Sequence, residues 1–99
     1  MLTREGFASR FGHPALIGMV HLGPLPGSPL WNGPLDRVVE RARDDASKLA
    51  EAGFDALLVE NFGDRPFAKK ADPETVAAMS IAVDRISAET RLPVGVNVL

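Results

Sequence analysis

The chain has 99 residues, of which 45% are hydrophobic and 24% are charged, and this balance excludes an intrinsically disordered segment. It contains no cysteine, so a disulfide framework, a thiolate metal site and a cysteine nucleophile are excluded within it. The formal net charge is −2 and the basic residues are scattered along the chain, so we expect a small-molecule ligand and no nucleic acid.

No segment of the sequence is predicted to cross a membrane, because the longest apolar run, residues 15–20, is far too short to span a bilayer. The N-terminal stretch also lacks the apolar core of a signal peptide. We therefore expect a cytoplasmic protein, and the sequence leaves peripheral membrane association and homo-oligomerisation open. No dinucleotide-binding motif, P-loop or helical histidine pair occurs, so neither a cofactor nor a metal is predicted.

The first predicted unit is a strand, a long loop and a helix. Residues 15–22 are apolar at both alternating positions, as in a strand that is covered on both faces, and we name them β1. Four prolines between Pro24 and Pro34 then exclude both helix and sheet. From Pro34 to residue 52 the apolar residues recur every three or four positions, which predicts helix α1, and Gly53 suits the left-handed conformation that ends a helix.

The second predicted unit repeats this pattern. The apolar run Ala56–Glu60 predicts strand β2, and residues 61–67 predict a loop. Asp72 is a suitable N-cap for helix α2 over Pro73–Glu89, and residues 94–99 predict strand β3. The residues of α2 predicted to be buried are Val76, Met79, Val83 and Ile86.

Strands separated by helices predict parallel βαβ units, and hence an α/β fold. In a (β/α)₈ barrel the strand order is 1-2-3 and both helices cover one face, whereas in a flavodoxin-like doubly wound sheet the order 2-1-3 puts one helix on each face. Periodicity alone does not choose between them. Because the sequence stops inside an apolar strand, we expect residues 1–99 to be the N-terminal part of a single barrel domain, marginally stable and inactive alone.

Polar residues at the carboxyl ends of the predicted strands are the candidates for chemistry, since parallel α/β folds bind ligands there. His21, Glu60 and Asn97 are predicted to be catalytic and to converge on one site. Histidine and glutamate serve as general acids and bases, and an amide within an apolar strand must find hydrogen-bond partners. A histidine that only caps a loop carbonyl is an equally weighted interpretation of His21.

Two further residues follow β2 directly. Asn61 and Asp64 lie in the predicted β2–α2 loop, on the same edge of the sheet as the strand ends. We predict that they bind substrate, because loops at this edge form the binding site in such folds. For Asp64, a simple turn-forming role carries equal weight.

Three segments carry a family resemblance. They are residues 17–29, IGMVHLGPLPGSP, residues 52–64, AGFDALLVENFGD, and residues 93–99, PVGVNVL. Their order and spacing resemble those of the BtpA/SgcQ family. The resemblance implies a TIM-type barrel of about eight βα units, of which this chain would be the first part.

The resemblance implies two classes of function. One is a barrel enzyme acting on a small polar metabolite of the sugar or nucleoside type at the carboxyl ends of the strands. The alternative is a non-enzymatic biogenesis or assembly factor for a membrane complex such as photosystem I. In that case Leu25, Leu30 and Trp31 of the proline-rich loop would form the contact surface, because exposed apolar patches mark interfaces.

Overall fold

The computed structural model describes residues 14–64 and 72–99. Its strands are β1 (Ile17–His21), β2 (Ala56–Glu60) and β3 (Val94–Asn97). Its helices are α1 (Leu35–Glu51) and α2 (Pro73–Glu89), and a single 3-10 turn covers Phe62–Asp64. All the predicted strands and helices form, with β1 and β3 slightly shorter than expected, and residues 65–67 of the predicted loop lie outside the described part.

The three strands form one parallel sheet in the order β1-β2-β3. This confirms the predicted order 1-2-3 and excludes the flavodoxin-like order 2-1-3 for these strands. Both helices lie on the same face, where they pack against each other and against the sheet. The fold is therefore a βαβαβ unit of parallel strands, as in βα-repeat proteins.

The hydrophobic core lies between this face and the two helices. Its sheet side is formed by Val20, Leu57 and Val59, each at most 1% exposed. Gly18 allows α1 to approach the sheet, because a Cβ there would lie 3.0 Å from a methyl carbon of Leu49. Burying a side chain the size of leucine contributes roughly 1.5–3 kcal/mol, so this layer stabilises the whole unit. The helix residues of the core are Val39, Ala42, Ala46, Ala78, Met79, Ala82 and Ile86.

Within residues 14–64 and 72–99, no helix covers the opposite face of the sheet, called the open face below. Its apolar side chains remain accessible, with Ile17 51% and Met19 41% exposed. The strands are thus apolar at both alternating positions, as the sequence indicates, but the described residues cover only one set of these positions.

The N-terminal ends of both helices differ in detail from the prediction, whereas the C-terminal end of α1 agrees with it. Pro34 is the N-cap of α1 and not its first helical residue, because its ψ of 161° is extended. Asp72 occupies the N-cap of α2, but its side chain makes no capping hydrogen bond. Gly53 has a φ of 94°, in the left-handed region that ends α1 as predicted.

The prediction that Val76 is buried in the core was wrong. Val76 is 48% exposed, because it lies on a stripe of α2 that faces away from the core. That stripe lines an apolar groove of about 460 Å³ beside β3, together with Val83, Val96 and Val98. The 3.6-residue periodicity therefore marked two adjoining apolar stripes on α2, of which the described residues fully bury only one.

Candidate active site at the carboxyl edge of the sheet

The sequence-predicted residues His21, Glu60 and Asn97 form one row across the sheet, called the polar row below. His21 pairs in register with Glu60, and Glu60 pairs in register with Asn97. In-register residues of parallel strands point to the same face and lie roughly 5 Å apart. Alternation along the strands puts the polar row on the open face, at its carboxyl edge.

Glu60 is the centre of the polar row. Its Oε1 accepts a hydrogen bond of 3.0 Å from Nδ2 of Asn97, and its Oε2 lies 3.5 Å from Nε2 of His21. The Glu60 side chain is 14% exposed, whereas the His21 side chain is 45% exposed. The carboxylate is therefore held between an amide donor and an imidazole, and the imidazole is accessible to a ligand.

Asn97 was expected to find its partners in the interior of the protein. It lies instead at the last position of β3 and is exposed, because this face of the sheet is open. Its observed partner is the Glu60 carboxylate. The amide thus acts within the polar row and fixes one of the two carboxylate oxygens.

The His21 ring is oriented by an aromatic residue that the sequence reasoning missed. The imidazole stacks on the phenyl ring of Phe62, with ring centroids 4.5 Å apart and an angle of 16° between the planes. An available signal was an aromatic residue two positions after Glu60, the polar end of β2. Stacking fixes the plane of the imidazole, and in this plane Nε2 lies near Glu60.

The loop that carries Phe62 is fixed against the end of β1. The N–H of Gly63 donates to the carbonyl oxygen of Leu22 at 3.0 Å. A Cβ on residue 63 would lie 2.7 Å from that same oxygen and from the carbonyl carbon of Gly23, so only glycine allows this approach. Close contact between these two loops places Phe62 beside His21.

Asn61 and Asp64 lie at the same edge, but their polar atoms are used inside the protein. Both are buried, at 2% and 6% exposure. Asn61 donates from Nδ2 to Oδ2 of Asp64 at 3.0 Å and accepts at Oδ1 from the N–H of Leu99 at 2.6 Å. Asp64 accepts at Oδ1 from the N–H of Leu25 at 2.8 Å. The pair therefore ties the chain after β1 and the chain after β3 to the end of β2, and the substrate-binding role stays a prediction.

The proposed contact surface on the proline-rich loop needs one correction. Leu25 is fully buried, because it packs into the core beneath the loop. Leu30 is 57% exposed and Trp31 is half-buried. A partner could therefore contact only the last two of the three residues.

Two classes of feature are absent from the described residues. Within residues 14–64 and 72–99, no group of three or more histidine, aspartate or glutamate side chains is placed to hold a metal ion. No helix in these ranges is both long enough and apolar enough to cross a membrane.

A parallel sheet with sequential strand order, helices on one face and a polar row at the carboxyl edge defines a βα-repeat protein. The model of the BtpA family matches residues 12–99, and the chain belongs to the BtpA family. This confirms the resemblance found in the sequence. A comparison with solved structures gives no significant match.

Relatives of the chain come from archaea and bacteria. An uncharacterized protein of Thermococcus kodakarensis is 58% identical over 90% of this chain and 34% of its own length. The photosystem I biogenesis protein BtpA of Synechocystis is 50% identical over 88% of this chain and 31% of its own length. The putative sgc region protein SgcQ of Escherichia coli is 39% identical over 86% of this chain and 32% of its own length. The chain thus spans about a third of the length of the curated relatives it matches.

Proposed function

We propose that this chain supplies part of the active site of an enzyme that acts on a small polar metabolite of the sugar or nucleoside type. The observation that carries the proposal is the polar row, in which Glu60 contacts both His21 and Asn97 on the open face. Sugar and nucleoside hydroxyls both donate and accept hydrogen bonds, so they complement an imidazole, a carboxylate and an amide arranged side by side.

Each residue of the polar row has a distinct role in the proposal. His21 is the exposed residue that contacts the substrate and exchanges a proton with its hydroxyl, and Glu60 takes up or supplies that proton through Oε2. Asn97 holds Oε1 of Glu60, which leaves Oε2 directed towards His21. Phe62 is a positioning residue for the imidazole.

Asn61 and Asp64 support the site indirectly. Their side chains bond to each other and to the backbone of Leu99 and Leu25, so in this proposal they position the strand ends, and contact with substrate stays a prediction for both. Rigid positioning of this kind matters, because catalytic groups must be held to within a fraction of an ångström.

The architecture of the whole protein is part of the proposal. In a (β/α)₈ barrel the open face would be the barrel interior, with Met19 and Leu58 in its packed layers and the polar row at its mouth. The groove beside β3 would receive the next βα unit. The greater length of the relatives supports this arrangement, since they are long enough to complete a barrel.

The experiment uses a BtpA-family protein that carries this stretch at the full length of the relatives. It is incubated with a panel of free sugars, sugar phosphates and nucleosides, and substrate consumption is followed by NMR. We expect His21→Ala and Glu60→Gln to lower turnover by at least about a hundredfold while leaving the fold intact, as loss of a general acid or base does. Glu51→Gln, an exposed carboxylate at the end of α1, is the matched control and should retain full turnover. Consumption that survives Glu60→Gln would contradict the proposal, and so would the absence of turnover across the panel.

An assembly role is the second candidate, favoured by the name of the Synechocystis relative and by the exposure of Leu30 beside Trp31. It predicts that Leu30→Asp abolishes capture of a membrane-complex subunit, whereas His21→Ala and Glu60→Gln have no effect on capture. The two candidates are therefore separated by which set of substitutions removes function.

A further inference from the structure

A second pocket, separate from the polar row, lies between the proline-rich loop and the first turns of α1. Its volume is about 330 Å³. Its apolar walls include Pro24, Leu30, Trp31 and Val38, and it is also lined by Arg37 and Arg41. This volume is near the lower end of the range for small-molecule sites, about 300–1,000 Å³, and suits a ligand with a single ring.

The two arginines of this pocket differ from the other basic residues of α1. Arg43 forms ion pairs of 2.9 Å with Glu40 and 2.8 Å with Glu89, and Lys48 forms one of 2.9 Å with Asp44. The hydrogen bond to Glu89, followed by that to Glu40, raises the pKa of Arg43.

Arg37 and Arg41 have no ion pair with any residue in the described part of the chain. They are four positions apart, so they lie on the same side of α1, where two like charges destabilise a helix. An anion bound between them would remove this repulsion. Arg37 and Arg41 are therefore the charged groups of this pocket that form no ion pair within the described residues.

We propose that this pocket binds a small aromatic anion, a carboxylate or a phosphate monoester carried on a single flat ring. Guanidinium groups bind both carboxylates and phosphates through charge-assisted hydrogen bonds, and two guanidinium groups one helical turn apart can share one such group. The ring of the ligand packs against Trp31 and Leu30. The site is independent of the proposed catalysis, because no residue of the polar row lines it.

Trp31 provides the readout, since the chain has one tryptophan and no tyrosine. The full chain is titrated at constant ionic strength with phenyl phosphate and, separately, with benzoate, while its tryptophan fluorescence is recorded. At least one of the two should give a saturable change, and the one that binds identifies the acid group. Benzyl alcohol, which is neutral, should give none.

Substitutions locate the binding. Arg37→Gln and Arg41→Gln should each weaken the apparent Kd roughly tenfold, because each removes charge-assisted hydrogen bonds. Arg43→Gln is the matched control, since it removes a paired arginine of the same helix outside the pocket. The Kd of this variant for the aromatic anion should equal that of the unmodified chain. Circular dichroism verifies that every variant is folded.

Three results would overturn this inference. They are no saturable response to either anion, an equal response to benzyl alcohol, and a Kd that is the same in Arg37→Gln, Arg41→Gln and the unmodified chain. None of these results depends on turnover. The proposed anion site can therefore fail while the proposed catalysis stands, and the proposed catalysis can fail while the anion site stands.

Discussion

The two faces of the sheet use the same three strands in different ways. Along β2, Leu57 and Val59 point to the helices and are at most 1% exposed, while Leu58 and Glu60 point to the open face and are only partly covered. The helix-covered face is apolar along its strands. The open face changes from apolar residues such as Met19 to the polar row at the carboxyl edge.

This difference separates buried packing residues from accessible polar residues by their position on the sheet. Residues on the covered face exclude water and hold the unit together, whereas residues at the edge of the open face keep hydrogen-bonding capacity and access. One strand can carry both tasks, because successive side chains of a strand point in opposite directions.

The largest expected effect comes from truncating adjacent leucines of β2. Leu57→Ala removes a fully buried side chain and should lower the free energy of unfolding by about 2–5 kcal/mol. In the chain of residues 1–99, Leu58→Ala removes the same atoms from the open face and should lower the free energy of unfolding by only about 1 kcal/mol, because those atoms are partly solvated there. Urea denaturation of both variants measures the difference. Equal losses would mean that the two faces do not differ in this way.

The next largest loss of stability is expected on substitution of Asp64. Asp64→Ala leaves the buried N–H of Leu25 and the amide of Asn61 without their shared acceptor, which should cost about 1.5–3 kcal/mol. Asp64→Asn keeps one carbonyl acceptor and should cost less. If Asp64→Ala unfolds at the same urea concentration as the parent, Asp64 does not tie the strand ends together.

The sequence predicted the fold well where the signal is local. The apolar runs of Ala56–Glu60 and the proline at the start of α2 are short-range features, so these elements form where expected. The polar strand ends His21 and Glu60 could likewise be found, since the carboxyl ends of parallel strands share one edge.

The remaining details depend on contacts between distant segments. Nothing in the local pattern around Asn61 shows that its amide bonds to the backbone of Leu99, and nothing around Phe62 shows that it stacks on His21. Val76 fits the helical period of a buried residue, yet none of the described residues covers it fully, and it is 48% exposed. Burial by a neighbouring element cannot be read from the periodicity of one helix.

The open face should bind a hydrophobic dye, because its apolar side chains are accessible. Replacing Met19, which is 41% exposed, with serine should lower dye fluorescence without loss of the fold. Arg43→Gln, a polar change on the outer side of α1, should leave it unchanged. Dye binding that is insensitive to Met19→Ser would place the accessible apolar surface elsewhere, for example in the groove beside β3.

The smallest effect on stability is expected in the polar row. Glu60→Gln keeps the size of the side chain and an acceptor for Asn97. The free energy of unfolding should therefore change by no more than about 0.5 kcal/mol. Glu51→Gln again serves as the control. A large loss of stability on Glu60→Gln would assign Glu60 to the structural side of the comparison.

The most direct test of the central claim, that the polar row is a ligand site, is NMR of a full-length family member with labelled histidine and asparagine side chains. A compound of the panel that is consumed in its presence is added, and the signals of the His21 imidazole and the Asn97 amide are followed together. We expect both to shift with the same saturation curve, and Glu60→Gln to abolish both shifts. A compound that is turned over while both signals remain unchanged would contradict the claim.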